Sequence, residues 1–270
     1  MADYSMARAD TFPNRRVLRR MGMIKDQNGI IRRYINEQGS WTEHLNRTKK
    51  FIFRFLEQVK PRSVAILGSG WLLDVPVKYL AERVGKVIFC DLIHPQQILH
   101  KYREQANFEF LEIDITGGMV TEAFALAGRE KMDIYKLKDN IDLLSIHLPV
   151  HADVFISVNI LNQLDVLITD YLVGIKKLDF QGVNLLREKI QGDHLQFLME
   201  NDNCLVTDTT EIAMDDENRE ISRKSLLCTK FPWDKVKEQW IWEFDTLKTY
   251  HSGHRTFREV VALNFNDNGR

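Results

Sequence analysis

The chain has 270 residues, 44% hydrophobic and 28% charged, enough apolar content for one large α/β domain with an accessory segment or for two small domains. Its 37 Lys and Arg against 38 Asp and Glu give a formal charge of −1, which excludes a global field drawing in nucleic acid or an anionic membrane. Cys90, Cys204 and Cys228 are scattered without the paired spacing of a zinc site, no run approaches roughly 18 apolar residues, and Met1 to Arg20 lacks a signal-peptide core, so a cytoplasmic protein with no metal and no membrane contact is expected.

Charge is unevenly spread. Residues 1–60 hold 13 Lys and Arg against 6 Asp and Glu, about +7, which reads as a solvated amphipathic arm or as a partner-binding one. Pro13, Gly22, Gly29 and Gly39 break the first 40 residues into short helices or mobile turns. Ser40 followed by Glu43 then forms a capping-box pattern. Leu45, Thr48, Phe51, Ile52, Phe55, Leu56 and Val59 recur at helical spacing until Pro61, so one amphipathic helix closes a cap over residues 1–60.

From residue 63 the rhythm changes to short β-branched runs separated by helical segments, the pattern of a parallel sheet with crossover helices. Strands are expected near 63–68, 86–91, 108–113 and 152–158, and helices near 75–84, 95–106, 160–178 and 183–200. Residues 204–209 read as a fifth strand. Gln239–Phe244 and Phe257–Phe265 alternate and pair as an antiparallel hairpin, with Trp240, Trp242 and Phe244 on one face. The fold class is therefore α/β: a Rossmann-like, mostly parallel sheet over 61–270 with a C-terminal antiparallel strand pair and an N-terminal helical cap.

The run Ser63-Val64-Ala65-Ile66-Leu67-Gly68-Ser69-Gly70 ends in Gly-x-Gly, where the backbone turns sharply and approaches a ligand that a Cβ would exclude. Asp91 closes the next apolar run 23 residues beyond Gly68, a spacing that suits a ribose diol. In motif order the chain resembles the class I S-adenosylmethionine-dependent methyltransferases over roughly 62–265: Val64 to Gly70 as the first motif, Val87 to Asp91 as the second strand, Phe110 to Asp114 as the third and Asp153 to Leu164 as the fourth. The resemblance implies S-adenosylmethionine as cofactor, with Gly68, Ser69 and Gly70 beneath its methionine moiety, Asp91 on the ribose hydroxyls, Leu92 against the adenine face, and Asp114 on the adenine amine with Ile115 beside it. Ser157-Val158-Asn159-Ile160 replaces the Asp/Asn-Pro-Pro-aromatic motif of base-modifying amino methylases, so the expected acceptor is a small molecule.

Other readings share these residues. A nicotinamide dehydrogenase also uses Gly-x-Gly, but needs a helix to begin at the second glycine and a small residue at position 73, where this chain has Leu73; Asp74 as N-cap and Pro76 in the first turn place the helix start near Val75. A binding module without turnover, and a nucleic-acid methylase contacting phosphates through Arg15, Arg16, Arg19, Arg20, Arg32 and Arg33, are the alternatives from other classes. No catalytic residue is identified. Trp41 and His44 form a candidate substrate lid, or else a helix-start staple and a solvated ring, and Asn159 after the fourth strand is the leading substrate-side residue. His147 and His151 flank Pro149, which breaks metal-binding geometry. Tyr250, His251 and His254 lie in a turn where polarity is ordinary, and Asp165 and Asp170 read as a solvated helix face.

Overall fold

A computed structural model of the chain describes residues 12–37, 39–127, 148–200 and 202–265. Its helices are α1 (Arg15–Arg20), α2 (Met23–Asn36), α3 (Thr42–Val59), α4 (Val77–Arg83), α5 (Gln96–Tyr102), α6 (Met119–Ala127), α7 (Val166–Gly174) and α8 (Phe180–Met199). Its strands are β1 (Ser63–Leu67), β2 (Lys86–Asp91), β3 (Phe108–Glu112), β4 (Val154–Val158), β5 (Cys204–Met214), β6 (Glu220–Ser225), β7 (Val236–Asp245) and β8 (Arg255–Asn264).

All eight strands join one sheet in the order β3-β2-β1-β4-β5-β8-β7, with β6 pairing the far end of β5. The first five are parallel; β8 runs antiparallel between β5 and β7. This is the Rossmann-like sheet with a terminal antiparallel pair that the strand rhythm implies. Period-2 alternation sends side chains to opposite faces. Ala65, Leu67, Ile88 and Phe155 meet α1, α6, α7 and α8 on one face, while Val64, Ile66, Phe89 and Ile156 meet α3, α4 and α5 on the other.

Several boundaries differ from expectation. Gly29 does not break the N-terminal segment: α2 runs 14 residues through it, because nothing crowds that position and a single mid-helix glycine costs only about 1 kcal/mol. Ser40 is not the cap of α3; that position is Trp41, without a side-chain bond, and the Ser40 hydroxyl donates to Glu37 instead. The segment 160–178 divides into a single turn at Leu161–Gln163 and α7. β5 runs on to Met214 to hold β6, whose six residues are all exposed and so carry no burial pattern.

The stripe on α3 docks as expected. Leu45, Phe51, Ile52, Phe55 and Leu56 are buried against the sheet, together with Trp240, Trp242 and Phe244 of β7. At about 1.5–3 kcal/mol per fully buried side chain, this contact is comparable to a domain's whole net stability. α2 is placed differently. Met23 and Ile24 at its start pack with the core on one sheet face, and Ile30 and Tyr34 near its end with the core on the other. The helix therefore crosses over the carboxyl ends of the central strands.

Candidate functional site

Beneath α2 lies a cavity of about 550 Å³, within the range of small-ligand pockets. Its lining includes Gly68, Ser69, Gly70, Asp91, Leu92, Asp114, Ile115, Trp41, His44 and Asn159, so every candidate cofactor and substrate residue of the sequence meets at one place. β1, β2, β3 and β4 all end there, at the crevice where open parallel sheets hold ligands.

On the β1–β2 side the wall is main chain. Gly68 and Gly70 take positive φ values of 73° and 47°, and Leu72 takes 55°. A Cβ on Gly68 would meet the Cβ of Ile160 at 2.7 Å, so glycine is required there. Gly70 N–H donates to Asp91 Oδ2 at 2.7 Å, tying the loop to the end of β2, while Ile93 N–H reaches Asp91 Oδ1 only at 3.4 Å. Burial raises the Asp91 carboxyl above its usual range, and the Gly70 N–H opposes that rise. Asp114 Oδ1 accepts from the Thr116 N–H (3.0 Å) and hydroxyl (2.5 Å), and Oδ2 from Val120 N–H (3.1 Å), so this carboxylate also shapes the turn into α6. Burial raises its pKa too, against the Thr116 bonds.

The loop after Gly70 stays non-helical until α4 begins at Val77. Asp74 does not cap α4, whose N-cap is Pro76 without a side-chain bond. Its Oδ2 instead accepts from Asn159 Nδ2 at 2.7 Å, across the cavity mouth between β1 and β4. Asn159 sits at φ 50°, one of six non-glycine residues at positive φ among the described residues, a conformation that Asn tolerates better than most. Its spacing from Pro76 implies a capping role for Asp74; only the fold brings it beside Asn159.

The opposite wall is made of side chains. His44 is buried, not solvated: its ring stacks on Trp242 at 3.9 Å and 6°, Trp240 Nε1 donates to its Nδ1 at 3.1 Å, and its Nε2 lies 3.1 Å from Asn159 Nδ2. Burial, reinforced by the charge of Arg258, pulls its pKa down to about 3, so the ring is neutral at pH 7. Trp41 is buried and donates through Nε1 to Phe244 O at 2.9 Å. Arg258 lies against the Phe244 ring at 3.8 Å and is paired with buried Asp208. Arg33, on the inner side of α2, is 4.9 Å from the Phe244 and Tyr250 ring centres, whereas Arg15, Arg16, Arg19, Arg20 and Arg32 stay at the surface. Tyr250 and His251 also line the cavity, with His251 Nε2 3.0 Å from Glu211 Oε1. None of Arg33, Glu211 and Arg258 carries a motif in sequence.

The roof is fastened to the glycine-turn side. Trp71 Nε1 donates to Gln27 O at 2.8 Å, and the Gln27 amide donates to Ile93 O, so α2 grips both the glycine loop and the residues after Asp91. Among the other candidates, His147 lies outside the described residues and His151 is exposed. Asp170 is exposed as expected, but Asp165 is not: it is fully buried, because α8 packs against it and bonds it through Arg187 and Gln191. Among the described residues no cluster of His, Cys, Asp and Glu is placed to hold a metal, and no helix is long and apolar enough to cross a membrane.

No protein-family model matches this chain, and no curated protein matches it. Among solved structures it is similar to the N-methyltransferase NodS from Bradyrhizobium japonicum WM9 in complex with S-adenosyl-L-homocysteine (10% identity over 81% of this chain and 86% of that one, TM-score 0.35). It is also similar to Burkholderia thailandensis 1,6-didemethyltoxoflavin-N1-methyltransferase with bound 1,6-didemethyltoxoflavin and S-adenosylhomocysteine (10% identity, 88% and 86% covered, TM-score 0.39), and to DhpI in complex with SAH (12%, 90% and 97%, 0.34). Likeness at this level carries no functional weight beside the chain's own loop geometry.

Proposed function

We propose that this protein is an S-adenosylmethionine-dependent methyltransferase acting on a small molecule. The observation that carries the reading is the path of the chain after Gly70: six residues pass before α4 begins at Val77, so no helix N-terminus faces the glycine turn. A dinucleotide's diphosphate needs that helix start. A nucleoside with a zwitterionic amino-acid tail needs room instead, which the open loop supplies. Asp91, with one oxygen held by Gly70 and the other weakly engaged, takes the ribose hydroxyls. Leu92 and Ile115 flank the adenine, and Asp114, just past the end of β3, meets its amine.

Bound there, S-adenosylmethionine supplies an activated methyl group, so the chain's own residues need mainly to align the acceptor and exclude water. α2 roofs the cavity and the Trp41, Trp242 and Phe244 wall removes solvent. A cavity of about 550 Å³ partly covered by α2 is of a size for a small acceptor beside the cofactor. A thermal-shift panel tests the cofactor: a ligand at 100 times its Kd adds about 2.7 kcal/mol, or about 5–10 °C of Tm for a domain of this size. S-adenosylmethionine or S-adenosylhomocysteine is expected to give that rise and NAD or NADP none; the reverse ranking moves the assignment to a dehydrogenase.

A further inference from the structure

The contacts around His44 contain a conflict of hydrogens. An indole N–H only donates, so with Trp240 Nε1 3.1 Å away, His44 Nδ1 has to be the acceptor. An Nδ1–H tautomer or an imidazolium would turn a hydrogen onto that indole N–H. The neutral ring therefore carries its proton on Nε2. Yet 3.1 Å beyond Nε2 lies Asn159 Nδ2, itself a donor. A side-chain amide has the same outline either way round. Reversed, Asn159 offers its oxygen to His44 Nε2–H, but the same oxygen then faces Asp74 Oδ2 at 2.7 Å, and two oxygens at that distance require a hydrogen between them.

We propose that Asp74 holds a proton at neutral pH and, donating it to Asn159, completes a chain from Asp74 through Asn159 and His44 to Trp240 that latches the rim of the cavity together. The chain joins four segments distant in sequence: the loop after β1, the end of β4, the first turn of α3 and β7. It makes Asp74 a positioning residue, acting through Asn159 on the ring that backs the Trp242 wall. The charged groups acting on this corner are Lys49 of α3, which favours the carboxylate form of Asp74, and Arg258 of β8, which disfavours a proton on His44; burial, the larger influence, raises the Asp74 pKa. A group with a raised carboxyl pKa stabilises the fold while protonated, and that contribution is lost as pH rises through the folded titration point. The latch therefore loosens on the alkaline side.

The test uses the full-length, ligand-free protein and is independent of which cofactor binds. Long-range ¹H–¹⁵N correlation of the His44 ring is expected to show the neutral Nε2–H tautomer at pH 7, and the Asp74 ¹³Cγ shift a protonated carboxyl. Trp240→Phe removes the indole donor, which frees Nδ1 to take the proton and Nε2 to accept from Asn159; Asp74 should then titrate at least one pH unit lower. Asp74→Asn, the shape of the neutral acid, should keep both the Nε2–H tautomer and the wild-type Tm. An Nδ1–H or charged His44, or an Asp74 ionised at pH 7 in the wild type, overturns the proposal; should Trp240→Phe not fold, the wild-type spectra and Asp74→Asn decide it alone.

Discussion

At the tips of β1 and β2 the cavity is shaped by main chain, with two glycines at positive φ and a backbone N–H holding Asp91 from 21 residues away in sequence. Across the cavity the wall is shaped by side chains whose partners lie about 200 residues apart: Trp41 on Phe244 and His44 on Trp240. The first side holds a shape that any sequence with the same turn would hold. The second depends on every ring being present. Rigidity at the glycine-turn side is thus local, whereas rigidity at the aromatic wall belongs to the fold as a whole.

The largest perturbation of the second wall is its removal. Deleting residues 1–60 strips five buried aliphatic and aromatic side chains of α3 from the sheet, about 8–15 kcal/mol at about 1.5–3 each, which equals a domain's stability. The expected product is insoluble or molten. A soluble 61–270 fragment with a cooperative melt would show that the two walls fold independently.

Gly68→Ala attacks the first wall. Left-handed strain of about 1–2 kcal/mol adds to overpacking of about 1–3 against Ile160, for a loss of about 2–5 kcal/mol and about 5–20 °C of Tm. Gly118→Ala, also at positive φ but with nothing within 4 Å, is the control and should lose only the strain. Equal losses by calorimetry would mean that the approach of Ile160 is unimportant.

Asp91→Ala should cost about 1.5–3 kcal/mol of ligand-free stability, because the charged bond to Gly70 N–H is lost, and weaken S-adenosylhomocysteine at least about tenfold. Asp91→Asn keeps an oxygen for Gly70 and separates the two effects. Isothermal titration of both variants decides; unchanged affinity would leave Asp91 as a loop fastener only.

The most gradual effect concerns pH. His194 is buried beside Ser157, 2.8 Å from its Oγ, and burial lowers its pKa to about 4 from 6.5. Between those values the unfolded state binds one more proton, so stability falls as pH falls, by about 1.4 kcal/mol per unit. In His194→Gln the slope of unfolding free energy between pH 6.5 and about 4 should be shallower by that amount. An unaltered slope would place His194 in contact with water in the native state.

The same contrast explains which parts could be read from residues alone. The strands, the glycine turn and Asp91 carry local signals: β-branched runs, missing side chains, a fixed spacing. β7 was visible through Trp240, Trp242 and Phe244 alternating, and α3 through its stripe. β6 was not, since Glu220 to Ser225 buries no side chain and owes its conformation to pairing with β5. Asp74 and Asp165 depart from expectation, and His44 stays divided between lid and solvated ring, because a lone polar residue has no period; its environment comes from the segment folded against it. Arg33, Glu211 and Arg258 reach one cavity from three elements, and no window of sequence contains them together.

The indole of Trp41 bonded to Phe244 has a meaning for synthesis as well as for shape. At about 5–20 residues per second, the 203 residues separating the two take roughly 10–40 s to translate. Throughout that interval α3 has no β7 to cover its aromatic end, whereas the Gly70–Asp91 bond of the β1–β2 turn, spanning 21 residues, closes soon after β2 emerges. Nascent chains should therefore be most adhesive just before the last strands emerge, and a chaperone that shields one short aromatic stretch near the amino terminus would be enough to carry them through.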